Sequence, residues 1–403
     1  MRAKILPFTA SSLLAILFGV LSVSAPASAQ NETVIYDFLG NSRNPFGNLT
    51  LDASGNLYGT SNSGNVFELL PQSNGAWTEK IVYDLANHGF SYSIGGVIFD
   101  KAGNLYGTAI YGGAKELGTA FELTPKSSGA WNLKVLHTFG NGADGQFPNS
   151  ALVFDAKGNL YGSTWQGGSS NLGTLFELMP QPGGGWKEKV LHNFGNGSDG
   201  QYPYSRVVFD SAGNFYGTTD AGGTLGDGIV YEFMPQTNGT WKERIIHNFG
   251  SGTDGGTPYA NLIFDASGNL YGTTAGGGLY GFGTVFELSP QKGGGWKEQI
   301  LHNFGNGTDG INPGSNLMFD QAGNLYGVTS EGGALACSDY YAGTVFELSK
   351  SAAGWTETIL DSFCDETGPG GVEGIIFGAD GNIYGTTYAG GDYDGGTAFE
   401  IKR

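Results

Sequence analysis

The phrase Gly-Asn-(Leu/Phe/Ile)-Tyr-Gly occurs seven times in this chain, with its tyrosine at Tyr58, Tyr106, Tyr161, Tyr216, Tyr271, Tyr326 and Tyr384. The spacings are 48, 55, 55, 55, 55 and 58 residues. Self-similarity at such a period means that one supersecondary unit is copied, and each copy buries its apolar face against its neighbours. A second phrase, Gly-Thr-x-Phe-Glu-Leu or a close variant, puts glutamates at Glu68, Glu122, Glu177, Glu232, Glu287, Glu347 and Glu400. A third opens an alternating segment with Trp77, Trp131, Trp186, Trp241, Trp296 and Trp355.

One copy can be followed from strand to strand. Asn261–Asp265 is a short apolar strand, Ala266-Ser267-Gly268 a tight hairpin turn, and Asn269–Thr274 the second strand. After the glycine-rich stretch Ala275–Phe282, Gly283–Leu288 makes a third strand and Trp296–Phe304 a fourth. Four antiparallel strands per copy predict an all-β, seven-bladed propeller. The opening Glu32–Phe38 aligns with fourth strands such as Lys187–Phe194, and the last copy stops after its third strand. The N-terminal strand is therefore expected to complete the last blade, covering an edge that would otherwise be open. Residues 30–403 read as one such domain.

Composition agrees. Of 403 residues, 72 are glycine, only 14% are charged and 13% are aromatic. This suits short strands with tight turns, and it excludes a disordered chain. Residues 1–29 stand apart: Arg2 and Lys4, an apolar run from Leu13 to Val23, then Ala27-Ser28-Ala29. That order is a secretory signal peptide with cleavage expected near Ala29, giving a periplasmic or extracellular protein. No other long apolar run follows, so membrane insertion is not expected. Removing two cations from 19, against 37 acids, gives 17 − 37 = −20 for the mature chain. Such a surface repels phosphate backbones, which excludes nucleic acid as a partner. A soluble monomer is expected.

The Gly-Gly-x4-Gly-Thr-x-Phe-Glu-Leu pattern resembles the GloVer (Gloeo/Verruco) tandem repeats of exported bacterial proteins, and the match spans the mature chain. The resemblance implies an exported, propeller-like protein and carries no settled activity. Some relatives end in surface-anchoring tails. Ile401-Lys402-Arg403 is no such tail, which points to free release or the periplasm.

Residues present in every copy read as structural. The tyrosines and third-strand phenylalanines pack blades together, and the glutamates accept hydrogen bonds, facing Lys187, Lys242 or Lys297. The histidines His137, His192, His247 and His302 share one fourth-strand position, too far apart in neighbouring blades to ligate one ion. Asp265-Ala266-Ser267-Gly268-Asn269 and its copies are Asx-type turns without the further acids of a calcium loop.

Function is sought where the repetition lapses. Just after the second strands, one position runs Asn62, Ile110, Trp165, Asp220, Ala275, Ser330, Tyr388, with Tyr111 and Glu331 beside it. The loops before the first strands add Phe46, Phe147, Tyr202, Tyr204 and Tyr259. Aromatics beside carboxylates and amides suit sugar stacking or a protein partner. The ligand-binding candidates are Trp165, Tyr111, Tyr202, Tyr204, Tyr259, Tyr388, Asp220 and Glu331. Cys337 and Cys364, the two cysteines, lie in loops of one face and are expected to form a disulfide. Nearby loops gather Glu331, Asp339, Asp365, Glu366, Glu373, Asp392 and Asp394 without a lysine or arginine. These acids form either a solvated acidic patch or a cation site, for which calcium is the candidate, at Asp339, Asp365, Glu366, Asp392 and Asp394; no other cofactor is expected.

Three functions fit. The favoured one is a non-catalytic scaffold binding an extracellular polysaccharide or envelope protein. The second is a carbohydrate-active hydrolase or lyase using acids of the blade 6–7 loops. The third is a purely structural envelope protein.

Overall fold

The computed structural model describes residues 32–91, 95–333, 343–363 and 372–403. Seven antiparallel blades, each built on four strands, follow one another around an axis, and the seven-bladed propeller expected from the repeat is what forms. Blade 1 is Pro45–Leu51, Leu57–Ser61, Asn65–Pro71 and Trp77–Asp84, from the axis outward. Blade 5 is Ile263–Phe264, Leu270–Thr274, Thr284–Pro290 and Trp296–Asn303. Its inner strand is shorter than the sequence suggests, because only two of its residues pair with the second strand.

Closure is as expected. Glu32–Asp37 pairs antiparallel with Thr397–Ile401 as the outer strand of blade 7. Val34 opposes Phe399 and Tyr36 opposes Ala398, so Ile35 is an extra residue. The same one-residue bulge separates Leu175 from Phe176 in blade 3 and Val285 from Phe286 in blade 5. The first described strand thus has the geometry of a fourth strand, bulge included.

The repeated phrases are the inter-strand and inter-blade joints. A Cβ on Gly162 would lie 2.5 Å from Phe176 Cζ, so the glycine of Tyr-Gly leaves room for the phenylalanine opposite it. Tyr161 is buried, packs edge-on against Phe209 of the next blade at 5.1 Å, and donates to Glu177 Oε1 at 2.9 Å. Burying each such ring contributes roughly 2 kcal/mol. Burial and the glutamate together push the tyrosine pKa well above its ordinary value. Asp155 Oδ1 accepts from the amides of Lys157 and Asn159, which is the Asx turn read from sequence.

One expectation fails. The glutamates do not face Lys187, Lys242 or Lys297, which oppose Met179, Met234 and Ser289. In blades 1 to 5 the third strand ends with proline opposite tryptophan, so its glutamate meets the residue three after the tryptophan. Glu68 accordingly pairs with Lys80 at 3.1 Å, Glu122 with Lys134 at 3.2 Å, and Glu232 with Arg244.

Candidate functional site

Inter-blade loops and the loops after second strands share the face on which the axial channel widens. In blades 3 and 4 the inter-blade loop continues the sheet: Gly145–Pro148 pairs with the extended Leu160–Gly167, and Gly200–Pro203 with Phe215–Gly222. In five blades the residue before the loop proline is left-handed without being glycine: Asn44, Phe147, Tyr202, Thr257 and Asn312, all at φ 58–60°. A bulky residue held there stores strain of about 1–3 kcal/mol, and such strain gathers at ligand-facing loops. The amide of Tyr202 donates to the Leu172 carbonyl of the preceding blade at 2.8 Å, holding the turn. Gly173, also of that blade, has φ +102°, and a Cβ there would run into Pro203 Cδ.

The residue after the proline is thereby aimed at the axis. Phe46, Tyr204 and Tyr259 occupy that place and line a cavity of about 490 Å³ with Trp165, Asp220 and Asn149. Its floor holds Asn48, Asn261 and Asn316. Four of the eight binding candidates therefore meet in one funnel: Trp165, Tyr204, Tyr259 and Asp220. Trp165 is 40% exposed and tilted against Tyr202 at 5.8 Å. Tyr204 and Tyr259 meet edge to face at 5.8 Å. Burial raises the Asp220 carboxyl above the usual carboxylate range.

The other candidates stand elsewhere. Tyr388 supports Phe46 at 5.8 Å and accepts from Asn62 Nδ2 at 2.9 Å. Tyr111 packs on Phe147 at 5.6 Å without lining the funnel. Glu331 borders a separate depression of about 330 Å³ with Phe282 and Ile311. Cys337, Cys364, Asp339, Asp365 and Glu366 lie outside the described residues, as does the segment ending at Ala29. Asp394 Oδ1 accepts from the Gly390 amide at 3.4 Å, and the Asp392 amide donates to Asp37.

A second set of polar clusters sits between blades. His192 Nε2 lies 3.0 Å from Asp199 Oδ2 and 4.0 Å from Glu243 Oε2 of the next blade. His247 repeats this with Asp254 and Glu298, both at 3.4 Å, and His302 with Asp309 at 3.2 Å and Glu357 at 3.6 Å. Asp199 also caps its own loop through Gly195 N. Burial first, and the neighbouring aspartate second, raise Glu243 and Glu298 to about 7. Glu357 also reaches about 7, mainly through burial. The histidines join neighbouring blades, and their glutamate partners are unexpected. The signal was present: the glutamate comes two residues after tryptophan in Trp241-Lys242-Glu243, Trp296-Lys297-Glu298 and Trp355-Thr356-Glu357. Among the described residues these three clusters, with donor atoms within 4.8 Å of one another, are the groups able to hold a metal ion.

The model of the Gloeobacter/Verrucomicrobia repeat matches residues 61–263 and 240–403. The chain belongs to that family. No curated protein matches it. Among solved structures, the WD40 β-propeller domain of Doa1 superposes with TM-score 0.56 at 11% identity, covering 92% of this chain and 97% of that one. The PQQ domain of pyranose dehydrogenase from Coprinopsis cinerea gives 0.47 at 16% identity over 92% and 95%. A luciferin-regenerating enzyme gives 0.43 at 14% identity over 72% and 85%. At such identities the likeness is one of fold, and propellers host unrelated activities. Among the described residues no helix is long and apolar enough to cross a membrane.

Proposed function

We propose that this is an exported propeller that binds an extracellular polysaccharide, without catalysis, in the axial funnel. The observation carrying the reading is the convergence of Trp165, Tyr204, Tyr259 and Asp220, from three blades, in one cavity of about 490 Å³. Aromatic faces pack on the C–H surfaces of pyranose rings, while asparagine amides and a carboxyl fix the hydroxyls. The same funnel accepts a loop of an envelope protein, with Trp165 and Tyr204 as anchors. Export rests on the leader-like residues 1–29, and the acidic charge speaks against nucleic acid.

Co-sedimentation of residues 30–403 with a panel of bacterial and plant polysaccharides tests the proposal. Binding that is lost in Trp165→Ala at an unchanged melt supports it. An equal bound fraction in wild type and variant rejects it. A hydrolase or lyase is the second reading, favoured by the raised pKa of Asp220 within the cavity, which suits a general acid. Newly formed sugar ends in the same tubes, absent with Asp220→Asn, would establish it.

A further inference from the structure

Seven equivalent positions, one in or just before each first strand, surround the axis below the funnel. Asparagine fills three of them (Asn48, Asn261, Asn316), glycine two, and Ala151 one. The seventh, in blade 4, is Arg206. This ring is where the sevenfold pattern breaks most sharply in charge.

Beneath the ring the axial channel continues as a cavity of about 200 Å³, lined by Arg206, Thr50, Ile98, Ile263 and Met318 among others. It shares Asn48, Ala151, Asn261 and Asn316 with the funnel above, so the two spaces adjoin at the ring. Asn316 Oδ1 accepts from Asn261 Nδ2, and Asn261 Oδ1 accepts from the Arg206 amide, which fixes the arginine backbone. The guanidinium itself has no hydrogen bond, ion pair or ring contact among the described residues. Burial lowers its pKa. The protein leaves a charged group with five donors in a half-apolar channel without an acceptor, and such desolvation is costly until an anion arrives.

We propose that Arg206 receives the carboxylate of an acidic sugar whose ring occupies the funnel. This deepens the polysaccharide reading and rests on it. A planar fork of N–H donors matches a carboxylate in bidentate fashion, and the pair is strongest where water is excluded. Asp220, in the same blade, offers its carboxyl to sugar hydroxyls; no other group of the protein partners it among the described residues. The acidic surface adds a restriction. A long polyanion laid across the face would be repelled, so the charge fits best as one uronate end entering along the axis.

The test is calorimetry on residues 30–403 with galacturonate disaccharide, neutral galactobiose and sodium acetate. Wild type is expected to bind the uronate at least about tenfold more tightly than the neutral sugar, the size of a charge-assisted hydrogen-bond pair. In Arg206→Gln that ratio should fall to near one, and Asp220→Asn should weaken both sugars. Equal affinity for both sugars in wild type overturns the carboxylate assignment and leaves the funnel reading standing. Acetate binding as tightly as the disaccharide also overturns it, in favour of a simple anion. No heat from either sugar removes both readings at once. Melting curves of each variant separate lost binding from lost folding.

Discussion

Val34 stands opposite Phe399 in the ladder that joins the first described strand to the last. The ring of blades is therefore closed by main-chain hydrogen bonds between residues 365 positions apart in the chain. Just beyond this strand, Phe38 is fully buried against Phe67 of blade 1 at 4.9 Å, so the closing segment also seals the next blade boundary. Deleting residues 31–40 exposes the Thr397–Ile401 edge and empties the Phe38 site. The loss of that ring alone costs about 3–5 kcal/mol. The melting temperature should fall by about 10 °C or more, measured by calorimetry on the mature chain. A melt within 2 °C of the intact protein, on the order of 1 kcal/mol, would mean that closure contributes little.

Gly173 tests how blades 3 and 4 are locked. Its φ of +102° disfavours any side chain, and a Cβ would collide with Pro203 and come within 2.6 Å of the Thr164 carbonyl oxygen. Gly183 has a similar φ of +92° but nothing within 4 Å. Gly183→Ala should therefore cost only left-handed strain, about 1 kcal/mol, and Gly173→Ala about 3 kcal/mol or more. The difference, from urea unfolding of the two variants, isolates the contact with Pro203. Equal destabilisation would show that the proline is no part of the lock.

Tyr231 is where blade 4 departs from the phenylalanine found at this place in the other blades. Its ring is fully buried opposite Gly217, and its hydroxyl has no hydrogen-bond partner among the described residues. An unmet buried hydroxyl costs about 1–3 kcal/mol. Tyr231→Phe should stabilise the protein by about 1 kcal/mol and raise its melting temperature. A lower melt would show that the hydroxyl is satisfied in solution, by water for instance.

The architecture was legible because repetition multiplies weak local signals. Asp265–Asn269 alone is an ordinary turn, but its copies, spaced with Trp296 and Glu287, leave only a ring of small sheets. Much of the funnel was legible by the opposite route. Trp165 and Asp220 differ from their counterparts, and a position free of packing constraint tends to face outward. What could not be read was anything depending on which residues of two blades meet. Glu243 and His192 are 51 residues apart, and only the angle between blades brings them together. Lys189 rather than Lys187 opposes Glu177 because of a register set by Pro180 and Trp186. Arg206 aligns in sequence with Asn261 and Asn316, but only the closed ring of blades brings these positions together around the axis.

The inter-blade clusters give the last prediction, a pH dependence with a definite sign. Glu243, Glu298 and Glu357 are raised from 4.5 to about 7, chiefly by burial, so the fold prefers them protonated. Their contribution is full below pH 4.5 and is lost as pH rises through 7, at most roughly 3 kcal/mol per site. Burial instead lowers the pKa of His192 and His247, so their contribution is present above pH 6.5 and lost as pH falls. Stability should peak on the acid side of neutrality. Glutamine imitates the protonated acid without titrating. The triple variant Glu243→Gln, Glu298→Gln, Glu357→Gln should therefore match wild type near pH 5 and melt several degrees higher at pH 8.5. Scanning calorimetry from pH 5 to 8.5 in EDTA reads this without interference from metal ions. Parallel pH profiles for the two proteins would mean that these carboxyls are already ionised in the fold at pH 5.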